Sequence, residues 1–262
     1  MSIETLYIPT IGRENSQITY SNIPDSWKSK VVFVIQEKDA SYDFFKDKNV
    51  VTTANSIGIA KTRHEITKLG KGKKYAILDD DIEFLIRPDP TTNSKRKVTD
   101  EEFDEAMTLM STWLDLPNVV STGLAATWSP YPSEWVETEC FRPCCNVFYN
   151  GNTLPVDKIN WDYLEVSEDF WVMMQILDLS LKNKISFKFF INSGASQKSG
   201  GCSGYRTLDL HNDCFKKLKE KYPKYVSLKE KIVKSGGFSN VPQIKGVIQW
   251  KKLYKDSFKK NV

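Results

Sequence analysis

Four short apolar runs in the first 85 residues constrain the fold of this chain more than any other feature. Continuous β-branched and aromatic runs of this length are typical of strands buried on both faces. The runs are residues 6–8, 31–35, 50–52 and 75–78. Residues 58–69 show helical spacing of apolar side chains, and Gly70 follows as a stop signal. Alternating strands and helices predict an α/β fold with a mostly parallel central sheet flanked by helices.

The remaining two thirds of the chain contain further helix and strand patterns. Thr99 and Glu102 have the spacing of a capping box, which predicts that a helix begins there. That helix would place one set of side chains on its buried face, namely Phe103, Ala106, Met107, Met110, Trp113 and Leu114. Strands are predicted at residues 119–123 and 187–191, and lysine-rich helices at residues 214–222 and 228–234. Ser167 is predicted to cap a helix with the apolar stripe Phe170, Met173, Met174, Leu177 and Leu181.

Length and composition favour one globular domain over residues 1–262. The chain has 262 residues, 40% of them apolar, which is ample for a core and excludes a disordered chain. No run approaches the roughly 18 consecutive apolar residues of a membrane helix, and the first ten residues do not resemble a signal peptide. We therefore expect a soluble, cytoplasmic protein whose five cysteines are reduced.

The net charge of +4 conceals a strong asymmetry along the chain. Residues 182–262 hold 19 Lys and Arg against 5 Asp and Glu, a net charge of +14. The preceding residues carry a net charge of −10. A basic C-terminal part of predicted helices favours a polyanionic partner such as DNA, and the alternative is an ordinary solvated surface.

Asp79, Asp80 and Asp81 follow directly after the predicted strand at residues 75–78. Ligands of open α/β sheets bind beyond the carboxyl ends of the strands. Three adjacent carboxylates repel one another unless a cation neutralises them, and Mg²⁺ or Mn²⁺ prefers such oxygen ligands together with substrate phosphates. The sequence therefore favours a divalent metal site over the alternative, a solvated acidic turn.

The order of these elements resembles the nucleotide-sugar-binding half of GT-A glycosyltransferases. The motifs are a strand followed by Pro9-Thr10, a strand followed by Glu37, the helix GIAKTRHEI and the strand YAILDDDI. In that family, a helix carrying Arg-Asn precedes a strand that ends in a D-x-D motif, and here Arg63 is followed by His64 instead of Asn. The resemblance implies a single GT-A domain with a donor half at residues 1–125 and an acceptor half at residues 126–262.

The same resemblance implies roles for individual residues. Pro9, Thr10 and Glu37 would surround the base and ribose of the nucleotide, Arg63 would lie near the ribose or pyrophosphate, and Asp79 would contact the ribose or the metal's water. Asp81 would bind the metal directly, with His211 as a late additional ligand or, alternatively, an ordinary surface residue. The donor site would be completed by Arg13, Asn55 and Asp80.

Two further groups would complete the reaction centre. Glu168 and Asp169 open a predicted helix, where acidic residues ordinarily complement the helix dipole. In inverting enzymes of the family a Glu-Asp pair at this location provides the general base, which implies Asp169 as the base and Glu168 as the alternative. The glycine-rich segment 199–206 ends in Arg206, which is suited to hold a diphosphate. Its alternative is a flexible lid or linker.

A second resemblance concerns the acceptor. IPTIGR, RHEI before LDDDI, SEDFW and GGCSGYR are similar to motifs of the TET/JBP-associated glycosyltransferases, phage-type enzymes that add sugars to hydroxymethylated pyrimidines in DNA. The resemblance implies transfer from a UDP-sugar to 5-hydroxymethylcytosine. Phe238 and Trp250, with Lys251 and Lys252, are the predicted DNA contacts, although core packing is the alternative for such aromatic residues.

Other functions remain compatible with the same motifs. The acceptor could be a protein, a glycan or a lipid, or the chain could be a non-catalytic module that binds nucleic acid. A sugar nucleotidyltransferase is disfavoured because the N-terminal glycine-rich loop for a triphosphate is absent. The motifs do not select among glucose, arabinose, galactose and N-acetylglucosamine, nor between inversion and retention.

Overall fold

The computed structural model describes residues 2–129, 134–193, 201–234 and 238–261. Within these ranges the chain forms a ten-stranded sheet, a two-stranded sheet and seven α-helices. The strands are β1 (Thr5–Pro9), β2 (Val31–Gln36), β3 (Val50–Thr53), β4 (Lys74–Leu78), β5 (Ile82–Ile86), β6 (Arg96–Lys97), β7 (Val119–Ala126), β8 (Glu137–Glu139), β9 (Asn146–Asn150), β10 (Lys182–Ser193), β11 (Val226–Ile232) and β12 (Pro242–Ile248). The helices are α1 (Ile18–Asn22), α2 (Asp25–Lys28), α3 (Gly58–Leu69), α4 (Asp100–Trp113), α5 (Glu168–Asp178), α6 (Leu208–Lys221) and α7 (Trp250–Asn261).

The large sheet has the strand order β3-β2-β1-β4-β9-β7-β10-β5-β6, and β8 pairs with β10. Strands β3, β2, β1 and β4 pair in parallel, as do β7 and β10. Strand β9 lies antiparallel between β4 and β7, which therefore point the same way. Of the ten strands described in this sheet, only β5, β8 and β9 run against the others. The predicted α/β class with a mostly parallel central sheet is confirmed.

Helices cover both faces of the sheet because successive strand residues point to opposite sides. On one face, Leu6 and Ile8 of β1 pack in a buried cluster that includes Phe103 of α4. On the other face, Tyr7 packs in a second cluster with residues of α3, α5, α6 and α7. The predicted helix at residues 58–69 and the capping box of Thr99 and Glu102 are both confirmed.

The C-terminal part differs from the prediction in one element. Residues 228–234 were expected to be a helix, but Val226–Ile232 form β11, which pairs with β12 in an antiparallel hairpin. Six of the seven β11 residues are exposed, so the buried alternation that signals a strand is missing. The C-terminal part is thus a β-hairpin between the helices α6 and α7, and not wholly helical.

Helix α5 begins where the sequence predicted, although not for the predicted reason. Ser167 occupies the N-cap position with a left-handed backbone (φ 59°), and its side chain makes no capping hydrogen bond. The helix ends at Asp178. Leu181, the last residue of the predicted apolar stripe, therefore lies beyond the helix and directly precedes β10. Residues 194–200, which include the first two residues of the predicted glycine-rich segment 199–206, and residues 235–237 lie outside the described residues.

None of the described helices combines the length and the hydrophobicity that crossing a membrane requires.

Candidate active site

A cavity of about 640 Å³ lies at the carboxyl ends of β1, β2 and β4. Its wall includes Pro9 and Thr10 after β1, the three aspartates after β4 and the first residues of α5. The opposite wall comes from the segment 201–206, α6 and the hairpin. One concave space is therefore built from residues far apart in sequence, which is typical of a ligand site in an α/β protein.

The backbone of the acidic turn is held by helix α1. The buried hydroxyl of Thr19 donates a hydrogen bond to the Asp79 carbonyl and accepts one from the Ile82 amide at 2.8 Å. The Thr19 amide in turn donates to the Asp80 carbonyl at 3.1 Å. These bonds fix the direction in which the three carboxylates leave the sheet.

The three carboxylates have different surroundings. Asp80 is buried, and it accepts hydrogen bonds from the Thr10 hydroxyl at 2.5 Å and from Arg13 at 2.6 Å. Burial raises the pKa of Asp80, although Thr10 and Arg13 oppose the shift. The side chains of Asp79 and Asp81 are 31% and 18% exposed and line the cavity. Asp80 therefore holds Arg13 and Thr10, while its neighbours remain accessible to a ligand.

Arg63 of α3 joins the acidic turn to the start of α5. Its guanidinium lies 2.7 Å from the Asp79 carboxylate and 2.9 Å from that of Glu168. Glu168 is buried, and burial raises its pKa although the Arg63 charge opposes the shift. Arg63 thus holds together the predicted donor site and the predicted catalytic pair.

Asp169 is held by an arginine that the sequence analysis missed. Arg142, which precedes β9, donates a hydrogen bond to the Asp169 carboxylate, and its guanidinium lies 3.9 Å from the Phe170 ring centroid. Arg142 follows an irregular proline- and aromatic-rich stretch, so no periodic signal placed it. Four arginines therefore belong to the described cavity wall, namely Arg13, Arg63, Arg142 and Arg206.

Residues 201–206, the described part of the glycine-rich segment, attach the opposite wall of the cavity to the loop after β1 and to α3. The Gly201 amide donates to the Ile11 carbonyl at 3.2 Å. The Tyr205 hydroxyl accepts a hydrogen bond from the Ile59 amide at 3.0 Å and donates to Cys202. Arg206 is thereby carried into the cavity wall, and Tyr205 is a second residue that the sequence analysis did not single out.

The structure brings most of the predicted site residues into this one cavity. Those that line it are Pro9, Thr10, Arg13, Arg63, Asp79, Asp80, Asp81, Glu168, Asp169, Arg206, His211 and Phe238. Glu37 and Asn55 are exposed residues that do not line it, and Asn55 instead accepts a hydrogen bond from the Lys38 amide. Gln36, the buried neighbour of Glu37, lines the cavity in its place.

The four predicted DNA contacts do not lie together in the structure. Phe238 lines the cavity, whereas Trp250 packs on the far side of Phe170, with ring centroids 5.9 Å apart. Lys251 and Lys252 are exposed on α7 and do not line the cavity. Of these four residues, only Phe238 stands where an acceptor inside the cavity would meet it.

Asp79 and Asp81 offer hard carboxylate oxygens, which suit Mg²⁺ or Mn²⁺ bound jointly with substrate phosphates. His211 is engaged elsewhere, because the Ile244 carbonyl lies 3.1 Å from its Nε2 and can only accept a hydrogen bond. Within the described ranges, no group of three or more His, Cys, Asp or Glu side chains is arranged to hold a metal. The donor set of Asp79 and Asp81 therefore fits a cation that binds together with phosphate, while the Nε2 of His211 is engaged and the metal role of His211 stays a prediction.

All five cysteines are free thiols. Cys140 and Cys214 are buried in the core, as expected of structural thiols. Cys144, Cys145 and Cys202 instead line the cavity, and the sulfur atoms of Cys144 and Cys145 lie 3.5 Å apart.

Comparison with known proteins defines the class to which this fold and site belong. A family model for TET-associated glycosyltransferases matches residues 5–191, and the chain belongs to that family. It is therefore a glycosyltransferase, and the resemblance inferred from the sequence motifs is confirmed.

Particular relatives are also similar to this chain. The beta-glucosyl-HMC-alpha-glucosyl-transferases of Enterobacteria phages T2 and T6 are each 21% identical to it over 230 residues, covering 82% of this chain and 80% of the relative. Among solved structures, the crystal structure of S. aureus TarS 1-349 superposes with a TM-score of 0.46 at 14% identity. That match covers 84% of this chain and 66% of the TarS chain, so the chain spans just under two thirds of it.

Proposed function

We propose that this chain is a metal-dependent glycosyltransferase that moves a sugar from a UDP-sugar to a 5-hydroxymethylcytosine base in DNA. The observation that carries the proposal is the cavity in which Asp79 and Asp81 face the Glu168-Asp169 pair. A transferase needs cation-binding carboxylates beside the leaving diphosphate and a base beside the acceptor hydroxyl. This cavity offers both kinds of group in one space.

The donor would lie along the acidic turn. Asp81 and Asp79 would hold the divalent cation, which offsets the negative charge that builds up on the departing nucleoside diphosphate. Arg13 and Arg206 line the same cavity and would bind the diphosphate oxygens through their planar guanidinium groups. Pro9 and Thr10 would bound the space for the nucleoside, and Arg63 would orient Asp79.

The acceptor hydroxyl would meet the start of α5. Asp169 is the base that we favour, because its side chain is 22% exposed whereas that of Glu168 is only 7% exposed, and each carboxylate is paired with an arginine. Asp169 would take the hydroxyl proton as the oxygen attacks the anomeric carbon. The bond between that carbon and the diphosphate breaks, and its electrons leave with the diphosphate.

The acceptor class follows from the relatives and from the charge of the chain. The phage T2 and T6 relatives are named as beta-glucosyl-HMC-alpha-glucosyl-transferases, which are enzymes that act on a glucosylated HMC. The net charge of +14 in residues 182–262 suits a DNA backbone. A base inside a duplex would have to be flipped out to enter the cavity. The reaction would then take place in the cytoplasm of an infected cell.

Mass spectrometry tests this proposal directly. DNA containing 5-hydroxymethylcytosine, the same DNA already carrying glucose on that base, and plain DNA would each be incubated with the protein, Mn²⁺ and a panel of nucleotide sugars. We expect one donor to add one sugar mass to a hydroxymethylated DNA and none to plain DNA. Parallel reactions would offer protein, glycan and lipid acceptors in place of DNA, and transfer to one of these but to no DNA would overturn the acceptor assignment.

The metal role has its own test. Asp81→Ala should abolish transfer and remove the rise in melting temperature that UDP with Mn²⁺ produces, while the circular dichroism spectrum is retained. Asp43→Ala is the matched control, because Asp43 is exposed and outside the cavity wall. Full activity of Asp81→Ala without added metal would show that the metal role is wrong.

A further inference from the structure

One face of the β11-β12 hairpin carries a row of lysines that continues the positive charge of the cavity wall. In the hairpin register, Lys229 lies opposite Lys245 and Lys231 lies opposite Gln243. Directly opposite residues project from the same face of an antiparallel pair. Because Lys245 and Gln243 line the cavity, the exposed Lys229 and Lys231 belong to the face that extends this wall outward.

The charge neighbours of Lys245 support this placement independently of the register. Burial lowers the pKa of Lys245, and the positive charges of Arg206, Arg142 and Lys231 lower it further. Arg206 and Arg142 line the cavity, whereas Lys231 is exposed on the hairpin. Positive charge therefore runs from the inner wall through Lys245 to the outer hairpin.

The opposite face of the hairpin packs against the protein along β12, although its β11 side chains beyond Val226 remain exposed. A Cβ atom on Gly246 would lie 2.6 Å from the Phe215 ring of α6, so this face packs tightly against that helix. The Ile244 amide donates to the Asn212 side chain, which also belongs to α6. Glu230, the acidic residue of the two described strands, lies opposite Ile244 and thus projects from this other face, where it is exposed. The lysine face carries no acidic residue in either described strand.

We propose that the lysine face, formed by Lys229, Lys231 and Lys245, binds the phosphate backbone of the DNA acceptor and directs the target base into the cavity. This inference rests on the proposed function, and it moves the DNA contacts from Lys251 and Lys252 of α7 to the hairpin. A cationic strip that starts at the wall of the cavity is complementary to a polyanion whose base must enter that cavity. The lysines of α7 have no such continuity with the wall.

Fluorescence anisotropy with plain duplex DNA tests the face without depending on sugar transfer. The double variant Lys229→Gln/Lys231→Gln removes two positive charges from the exposed part of the face. Loss of two phosphate contacts should reduce the slope of log affinity against log salt by about 1.8, and weaken binding about 30-fold at ~0.15 M salt. Binding should weaken equally for plain and hydroxymethylated DNA, because backbone contacts do not read the base.

The chain offers a matched control and a competing variant. Lys71→Gln/Lys73→Gln removes two exposed charges with the same spacing, but at the amino end of β4, away from the aspartates. We expect this control to bind DNA as the unmodified protein does. If Lys251→Gln/Lys252→Gln weakens DNA binding while the hairpin variant binds DNA as tightly as the unmodified protein, the proposal is overturned.

The donor diphosphate is the other phosphate source that could meet this face. The rise in melting temperature with UDP and Mn²⁺ should be the same in the hairpin variant and in the unmodified protein. If the hairpin variant loses both its affinity for DNA and the rise in melting temperature with UDP and Mn²⁺, the lysines bind the donor diphosphate and the proposal is overturned. If the unmodified protein transfers sugar to the free hydroxymethylated nucleoside but has no affinity for DNA, the lysine face and the DNA acceptor both fail while the transferase activity stands.

Discussion

Arg63 is held between two carboxylates that have different predicted tasks. Its guanidinium contacts Asp79 on the donor side and Glu168 on the acceptor side, and the Arg63 side chain is only 15% exposed. A planar guanidinium can bind two carboxylates in fixed directions, which a single ammonium group cannot do. A cation bound by Asp79 would therefore be linked to the positions of the α5 carboxylates through the Arg63 side chain.

Arg63→Lys tests this linkage. The variant keeps the positive charge but loses one of the two directed contacts. Asp79 and Glu168 should then no longer be held in fixed positions relative to each other. We expect kcat to fall about 100-fold, the order of effect that a misplacement of about 1 Å produces. Steady-state kinetics measure it, with Arg96→Lys as a control in an exposed ion pair. Activity within twofold of the unmodified enzyme would show that the double contact does not matter.

His211 makes the stability of the protein depend on pH. Burial lowers its pKa to about 4, and the charges of Lys245 and Arg206 contribute, while the Ile244 carbonyl opposes the shift. In the unfolded chain the same ring has a pKa of about 6.5, so the unfolded state binds the proton first as pH falls. Stability is therefore lost progressively as the pH falls from about 6.5 to about 4.

His211→Gln should remove this part of the pH dependence. Urea unfolding at a series of pH values between about 7 and about 4.5 would measure the free energy of unfolding of both proteins. We expect the unmodified protein to lose more stability on acidification than the variant does. Parallel curves for the two proteins would show that His211 does not titrate in this way.

At the scale of single elements, helix α4 depends on its capping box. The Thr99 hydroxyl accepts a hydrogen bond from the Glu102 amide at 3.3 Å, and the Glu102 carboxylate accepts one from the Thr99 amide at 2.9 Å. Thr99→Ala leaves the Glu102 amide without this partner, so we expect the free energy of unfolding to fall by about 1 kcal/mol. Chemical denaturation measures the change. Thr99→Ser retains the hydroxyl and should be nearly neutral, and equal destabilisation by both variants would contradict the capping role.

Elements with a buried side could be predicted from the sequence, and those without one could not. Strand β4 is buried at all five positions and α4 buries one face, so their apolar patterns are visible. Strand β11 is exposed apart from Val226, and its lysines and glutamate fit a solvated helix equally well. Its strand conformation comes from pairing with β12, which the local pattern does not encode.

The same distinction applies to the candidate site. Asp79, Asp81, Glu168 and Asp169 lie at the ends of regular elements, and the resemblance to GT-A glycosyltransferases predicted that they share one site. Arg142 lies in an irregular segment before β9, and its place opposite Asp169 results from the packing of the whole chain. For such residues the spacing in sequence carries no information about distance in space.

At the scale of the whole molecule, one core joins the donor half and the basic C-terminal part. Phe215 and Leu218 of α6 and Leu253 of α7 are buried in the same cluster as Tyr7 of β1 and much of α5. The Ser257 hydroxyl of α7 also donates to Asp178 at the end of α5. The single domain predicted from the sequence remains a prediction, but these contacts favour it.

Truncation after residue 193 tests the domain prediction. The shortened chain would expose the face of α5 that α6 and α7 cover, which should remove cooperative unfolding and cause aggregation. Thermal unfolding followed by circular dichroism would measure this, and the complete chain should show one transition. A truncated chain that unfolds cooperatively would show that the C-terminal part is a separate unit.

The contact between Tyr205 and Ile59 also affects when the enzyme becomes active during its synthesis. The two residues are 146 positions apart, and the cavity wall further requires Gln243 and Lys245. A ribosome that adds about 5–20 residues per second needs roughly 10–30 s to continue from the aspartates to these residues. Throughout that interval the nascent chain has the carboxylates of the acidic turn but lacks the late wall of the chamber around them. An emerging polypeptide of this kind is catalytically silent, and sugar transfer begins only once the late wall has docked.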